Sequence, residues 1–232
     1  MVDVKVIDTG VLIGASETLD QHHENCIDYL EEGNAIAWAP PTVVDEYEAK
    51  IEEIRNDLVH EVKEHRERLS ERFAGRRLDA GDLVELKENI LDVGLECHRF
   101  LYAYYDTLGT DAPIACSEIL DRLSDVIEEI REDKSGEEGD IWRLVRKLPG
   151  KMPDEPEVRR ELLIEPGNDQ DICIEAHHIA ENEDGHTEFA TVDKNHFLDK
   201  HPGEPESREE NVLRVTDIRS IKELTHGPYP WT

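Results

Sequence analysis

The chain has 232 residues, with 56 Asp and Glu against 26 Lys and Arg, a formal net charge of -30. No run approaches the roughly 20 apolar residues of a membrane span, and Met1–Gly14 has no basic-then-apolar leader, so neither a membrane helix nor a secretory signal is expected. None of Cys26, Cys97, Cys116 and Cys173 forms a CxxC pair, which argues against a zinc site and for a reducing cytoplasm.

The acids spread along the whole chain while regular apolar spacing persists among them, so the expectation is a folded protein. Such a surface suits molar salt, where the Debye length is about 3 Å and self-repulsion is screened. A halophilic source is therefore expected. The charge also removes the basic footprint by which nucleic-acid binders are usually recognised, without excluding nucleic acid.

Val2–Ile7 turns from alternating to apolar and predicts a buried strand that ends at Asp8. Gln21–Glu32 predicts a helix with Cys26, Ile27 and Leu30 inward, stopped by Gly33. Ala35–Trp38 is a second short strand, closed by Pro40 and Pro41, and a helix starts near Thr42. From Val44 to Phe73 the apolar residues step by three or four until Gly75. Leu83, Leu86, Ile90, Val93, Cys97, Leu101 and Tyr104 repeat the pattern to Gly109. Cys116, Ile119, Leu123, Ile127 and Ile130 make a third helix, ended by Gly136–Gly139. These long stripes joined by glycine turns predict an antiparallel helical arm.

Pro149–Pro166 predicts a connecting loop with one short helix. Asp169–Glu183 predicts a helix, and Glu188–Val192 a strand that ends at Asp193. Asp199–Glu210 reads as a polar loop, Asn211–Val215 as a strand and Asp217–Leu224 as a last helix. Strands alternate with helices at both ends of the chain, so the fold class is α/β, a parallel β-sheet flanked by helices. Residues 1–49 and 161–225 build that discontinuous domain, residues 50–160 are the inserted helical region with its connecting loop, and 226–232 are a tail.

In an open α/β sheet the functional site lies at the carboxyl ends of the strands. Asp8 and Asp193 stand directly at such ends. Asp171 starts the helix that leads into the second of those strands, and Glu46 lies in the first turn of the helix after Trp38. Clustered carboxylates repel one another unless a cation sits between them, and hard oxygen donors suit Mg²⁺ or Mn²⁺. Such ions activate water and stabilise the leaving oxygen of a phosphodiester. The competing explanations are solvated surface acids and helix caps.

Four segments carry a resemblance. Val6-Ile7-Asp8-Thr9-Gly10-Val11-Leu12-Ile13 is similar to the opening motif of PIN-domain nucleases, and Val43-Val44-Asp45-Glu46-Tyr47 to their second. Asp171-Ile172-Cys173-Ile174-Glu175-Ala176 resembles the third, and Ala190-Thr191-Val192-Asp193-Lys194 the fourth, in the same order. The resemblance covers the two ends of the chain and implies a PIN-like sheet and a metal-dependent ribonuclease acting on single-stranded or structured RNA. It makes Asp8, Glu46, Asp171 and Asp193 the Mg²⁺ or Mn²⁺ shell, with Thr191 orienting the acids. Thr9 and Asp169 become supporting groups behind that shell, Asp169 alternatively a helix cap, and Asp45 is the rival of Glu46. Asn195 stands where the family often has another acid. The resemblance says nothing of most of residues 50–160, which leaves open a protein partner or antitoxin and a homodimer formed through the helical region.

Ile141–Pro153 departs from the general acidity. It holds Arg143, Arg146, Lys147 and Lys151 beside Trp142, and no acid. In strong salt only short contacts to phosphate and base stacking survive, so this segment is a candidate RNA contact. The alternative is a helix docking a basic face on the acidic body of the same chain. His22-His23 and His177-His178 lack partners at metal-ligand spacing, and Tyr102, Tyr104 and Tyr105 are expected to pack the helical region. No GxGxxG, GxxxxGKS or GxSxG occurs. The other class of function compatible with these residues is a PIN-like scaffold that binds without turnover. A flap-type DNA nuclease would use more acids than are visible.

Overall fold

Residues 2–17, 19–93, 98–108, 113–136, 141–150 and 152–225 are described by the computed structural model. Strand β1 (Val4–Ile7) is buried throughout. Helix α1 (Thr9–Ser16) follows at once, capped by Asp8. The sequence pattern gives no sign of α1, because Val11, Leu12, Gly14 and Ala15 are all buried. A helix enclosed all round has no amphipathic period to detect. Helix α2 (His23–Glu31) ends as expected before Gly33, whose φ of +77° suits glycine. Strand β2 (Ile36–Ala39) leads into α3 (Pro41–Phe73), which opens with proline in its first turn.

Strand β3 (Arg77–Leu78), α4 (Ala80–Val93), α5 (His98–Leu108), β4 (Ile114–Ala115) and α6 (Cys116–Gly136) come next. The single helix expected over Leu83–Tyr104 thus corresponds to α4 and α5; Cys97 and the expected turns at Gly109 and Gly139 lie outside the described residues. Strands β3 and β4 pair antiparallel. The basic segment, to which the sequence assigned no element, holds one helical turn, α7 (Ile141–Leu144), and an edge strand, β5 (Val145–Lys147). Helices α8 (Pro156–Glu161) and α9 (Asn168–Asn182), strand β6 (Thr187–Thr191), helices α10 (Lys194–Phe197) and α11 (Arg208–Val215) and strand β7 (Ser220–Glu223) complete the chain.

Two expectations near the end are reversed. Asn211–Val215, expected as a strand, belongs to α11, and the stretch expected as a last helix holds β7. The cause of the first is local. Ser207 accepts from Glu210 N while the Glu210 carboxylate accepts from Ser207 N, a capping box that starts the helix.

The five-stranded sheet has the order β5-β2-β1-β6-β7, with every pair parallel. All strands therefore end on the same side. The chain steps from β1 to β2 and β5 on one flank, then returns to β6 and β7 on the other, so the order switches at the β1–β6 boundary. A crevice at that boundary is where open α/β sheets bind ligands. Pairing of Ile7 with Ala190 brings Asp8 beside Thr191 there.

The core around the sheet includes Val6, Ile7, Leu12, Phe189 and Phe197, together with Tyr47 and Ile51 from the start of α3. A second apolar cluster joins the later turns of α3 to α4, α5 and α6, through Leu58, Val62, Leu69, Phe73, Leu83, Leu101, Tyr105, Ile119 and Leu123. Tyr105 is buried as expected, whereas Tyr102 is exposed. Helix α3, about 50 Å long at 1.5 Å per residue over its 33 residues, runs through both clusters. Where they meet, Arg55 Nε donates to buried Glu17. Among the described residues no helix is long and apolar enough to cross a membrane. Cys26, Cys116 and Cys173 are free and buried.

Candidate metal centre

Asp8 is buried at the carboxyl end of β1, beside the β1–β6 boundary. Its backbone N–H continues the sheet ladder to Ala190 O at 3.0 Å. One carboxylate oxygen accepts from Val11 N at 2.7 Å, and the other accepts from the Thr191 hydroxyl. Thr191 Oγ1 in turn accepts from Asp193 N at 2.9 Å, so one buried hydroxyl couples the two acids. Gly10 is required by this closeness: a Cβ there would sit 2.4 Å from Val192 Cγ2. A small residue after Asp-Thr is thus a packing condition for α1 to start against β6.

Burial pushes the Asp8 carboxyl up to about 7, and the negative charges of Asp193 and Asp169 add to that rise against the two hydrogen bonds. Asp169 is raised as well, first by burial, then by Glu46 and Asp193, with His196 opposing. These mutual effects bring Asp8, Asp169, Asp193 and Glu46 into one electrostatic group. Glu46 accepts from Thr9 Oγ1 at 2.6 Å and pairs with Lys50 one turn along α3. Burial works upward on Glu46, but the bonds from Lys50, Thr9 and Asn168 outweigh it and hold the carboxyl low.

Asp171 faces elsewhere. Its carboxylate is 2.7 Å from Arg159 Nη2, which also makes Arg159 a link between α8 and α9. Residues two positions apart on a helix are separated by about 200° around its axis, so Asp169 and Asp171 cannot present to the same point. Asp171 lines a cleft of about 570 Å³ that it shares with Glu46 of the acidic group, together with Asp45, Lys50, Arg159 and Glu175. Glu175 serves the fold: it accepts from both Thr42 N and Thr42 Oγ1 at 3.0 Å, capping the start of α3. Asn195 is exposed, and what it supplies is its backbone carbonyl, to His201 at 3.0 Å and to Arg208 at 3.4 Å.

The basic segment lies along the sheet edge. Pairing of Ala39 with Lys147 sets Lys147 at the same strand end as the acids. Lys147 Nζ stands 4.1 Å from the Trp142 ring centre and 2.9 Å from Glu48, and the Arg146 guanidinium lies 5.7 Å from the Trp38 ring centre. Arg143 is exposed on α7, and Lys151 lies outside the described residues. The adjacent histidines make internal bonds, His22 to Leu224 O and His178 to Pro153 O.

Residues not singled out from the sequence also build the site. His196 faces both Asp169 and Asp193. Lys50 neutralises Glu46, an i, i+4 spacing that was legible. Arg208 is buried and holds the α10 turn by its carbonyls, a contact over 12 residues that no local pattern announces.

The donor set is all oxygen, and a hard divalent cation matches it in chemistry. Its present arrangement is not that of a formed metal shell. Among the described residues no group of three or more His, Cys, Asp or Glu side chains is placed to hold a metal ion. The acids are turned instead towards Thr191, His196, Thr9 and Lys50. No family model, curated protein or solved structure matches this chain.

Proposed function

We propose that the protein is a PIN-like endoribonuclease that hydrolyses RNA phosphodiesters with Mg²⁺ or Mn²⁺, in the cytoplasm of a halophile. The observation that carries this is the buried Asp8, raised to about 7 beside Asp193 and Asp169 at the switch point of a parallel sheet. A fold that keeps three carboxylates there bears a cost that a cation would offset. In this proposal Asp8, Asp169, Asp193 and Glu46 hold the cation. Asp169 takes the place in the shell that the motif resemblance gave Asp171, because Asp169 shares the field of the other acids.

When bound, the cation supplies an activated water and charge stabilisation of the leaving oxygen. The chain's own part is positioning. Thr191 fixes the Asp8 carboxylate and the Asp193 backbone together, and Thr9 fixes Glu46. Asp171 and Arg159 shape the cleft beside the acids. Arg146 and Lys147, with Trp142, are assigned to the RNA backbone and a base, at contact distances that molar salt does not erase. Helices α4, α5 and α6 stand outside the chemistry, as an adaptor for RNA or a protein partner.

One observation favours the alternative of a binding protein without turnover: every acid of the group already has an internal partner. Cleavage of single-stranded RNA in concentrated KCl, with Mn²⁺ against EDTA, separates the two. Manganese-dependent cutting lost in Asp8→Asn and Asp193→Asn supports the nuclease. RNA binding that survives EDTA, with no cutting by folded protein, supports the scaffold.

A further inference from the structure

The imidazole of His196 lies between two carboxylates from different elements. Its Nδ1 is 3.0 Å from Asp169 Oδ2, on α9, and 3.1 Å from Asp193 Oδ2, which caps α10. This placement is anchored from below. His196 N donates to Asp193 Oδ1 at 3.1 Å. The next residue, Phe197, is buried edge-on against Phe189. Buried Arg208 donates to the carbonyls of Asn195 and His196 at 3.4 and 3.3 Å. The backbone is fixed, while the ring itself is 53% exposed.

A nitrogen that faces two acceptors carries its hydrogen there, so Nδ1 has no lone pair to offer a metal. The ring does what a cation between these acids would do: it bridges them and fills the space between them.

Resting on the proposed cation site, we infer that His196 is a built-in occupant of that site, a positioning residue that holds Asp169 and Asp193 together and leaves when a divalent cation binds. The ring's contact with the acids is then a competitor of the cation, and its removal strengthens cation binding. An exposed side chain can be deleted without loss of the fold, which makes the competition measurable.

The test is titration of the metal-stripped full chain with Mn²⁺, followed by the electron paramagnetic resonance of free Mn²⁺, at one pH and one KCl concentration. His196→Ala is expected to bind roughly tenfold more tightly than the parent, the scale of one charge-assisted hydrogen bond. His196→Lys, which tethers an ammonium in the same place, is expected to show no such gain, and Asp193→Asn to lose the site. Equal or weaker binding by His196→Ala, with the site still lost in Asp193→Asn, overturns this inference alone; weaker binding would make the ring a ligand. No Mn²⁺ binding by any form, or binding unchanged in Asp193→Asn, overturns the cation site itself and the inference with it.

Discussion

Replacing Asp8 by Asn should stabilise the metal-free protein. The carboxyl has its ordinary value of 3.8 in the unfolded chain and about 7 in the folded one, so the displacement of about three pH units amounts to about 4 kcal/mol at about 1.4 kcal/mol per unit. The sign follows from proton counting. Below pH 3.8 both states hold the proton and burial carries no ionic cost. Between 3.8 and about 7 only the folded state keeps it, so stability falls as pH rises. Above about 7 both states are ionised and the full cost remains. Asn avoids that cost and keeps the acceptor for Val11 N, but Thr191 must find a new arrangement, at about 1 kcal/mol. The net gain is about 3 kcal/mol at pH 8, a rise in Tm of about 6 to 12 °C for a chain of this size. Thermal unfolding in EDTA at fixed KCl, from pH 4 to 8, measures it. A variant no more stable than the parent at pH 8, or a gap that does not close towards pH 4, would refute the electrostatic account of Asp8.

Gly10→Ala sets a methyl 2.4 Å from Val192 Cγ2 and should cost about 1 to 3 kcal/mol in denaturant unfolding. Val192→Ala in the same chain should recover most of that loss, and no recovery would mean the strain lies elsewhere. Glu17→Gln leaves Arg55 buried with a weaker partner where the two apolar clusters meet. Its expected cost is about 3 kcal/mol, read as a lowered Tm. Arg146→Glu with Lys147→Glu should weaken RNA binding while leaving the cleavage rate at saturating RNA near that of the parent. A lowered Tm with RNA affinity unchanged would show these cations to be docked on the body of the protein instead.

The outer frame of the fold was legible in the sequence wherever one face of an element meets water. Helix α3 is the clearest case, since Tyr47, Ile51, Leu58, Val62, His65, Leu69 and Phe73 are all buried at helical spacing. Legibility failed where burial is complete or the element is short. Helix α1 is enclosed on all sides, and β3 and β4 have two residues each. It failed again at β5 and β7, edge strands whose pairing partners are distant in sequence. In the candidate site, Asp8 and Asp193 could be placed from strand ends alone, because a strand that stops at an acid fixes where that acid stands, whereas Thr191 entered only through the motif resemblance. The choice between Asp169 and Asp171 could not be made that way. It depends on which face of α9 meets β1 and α10, and the sequence around Asn168 carries acids on both faces. His196 escaped notice for a similar reason. Its role comes from a long-range partner, Asp169, 27 residues earlier by sequence number.

The most direct test of the central claim is the rate of Mn²⁺-dependent cleavage of single-stranded RNA in concentrated KCl for the parent, Asp169→Asn and Asp171→Asn. Cleavage abolished in Asp169→Asn and reduced by no more than about tenfold in Asp171→Asn, about 1.4 kcal/mol in the barrier, is the predicted result. Equal activity in Asp169→Asn and the parent, or no metal-dependent cleavage by any folded form, would contradict the account.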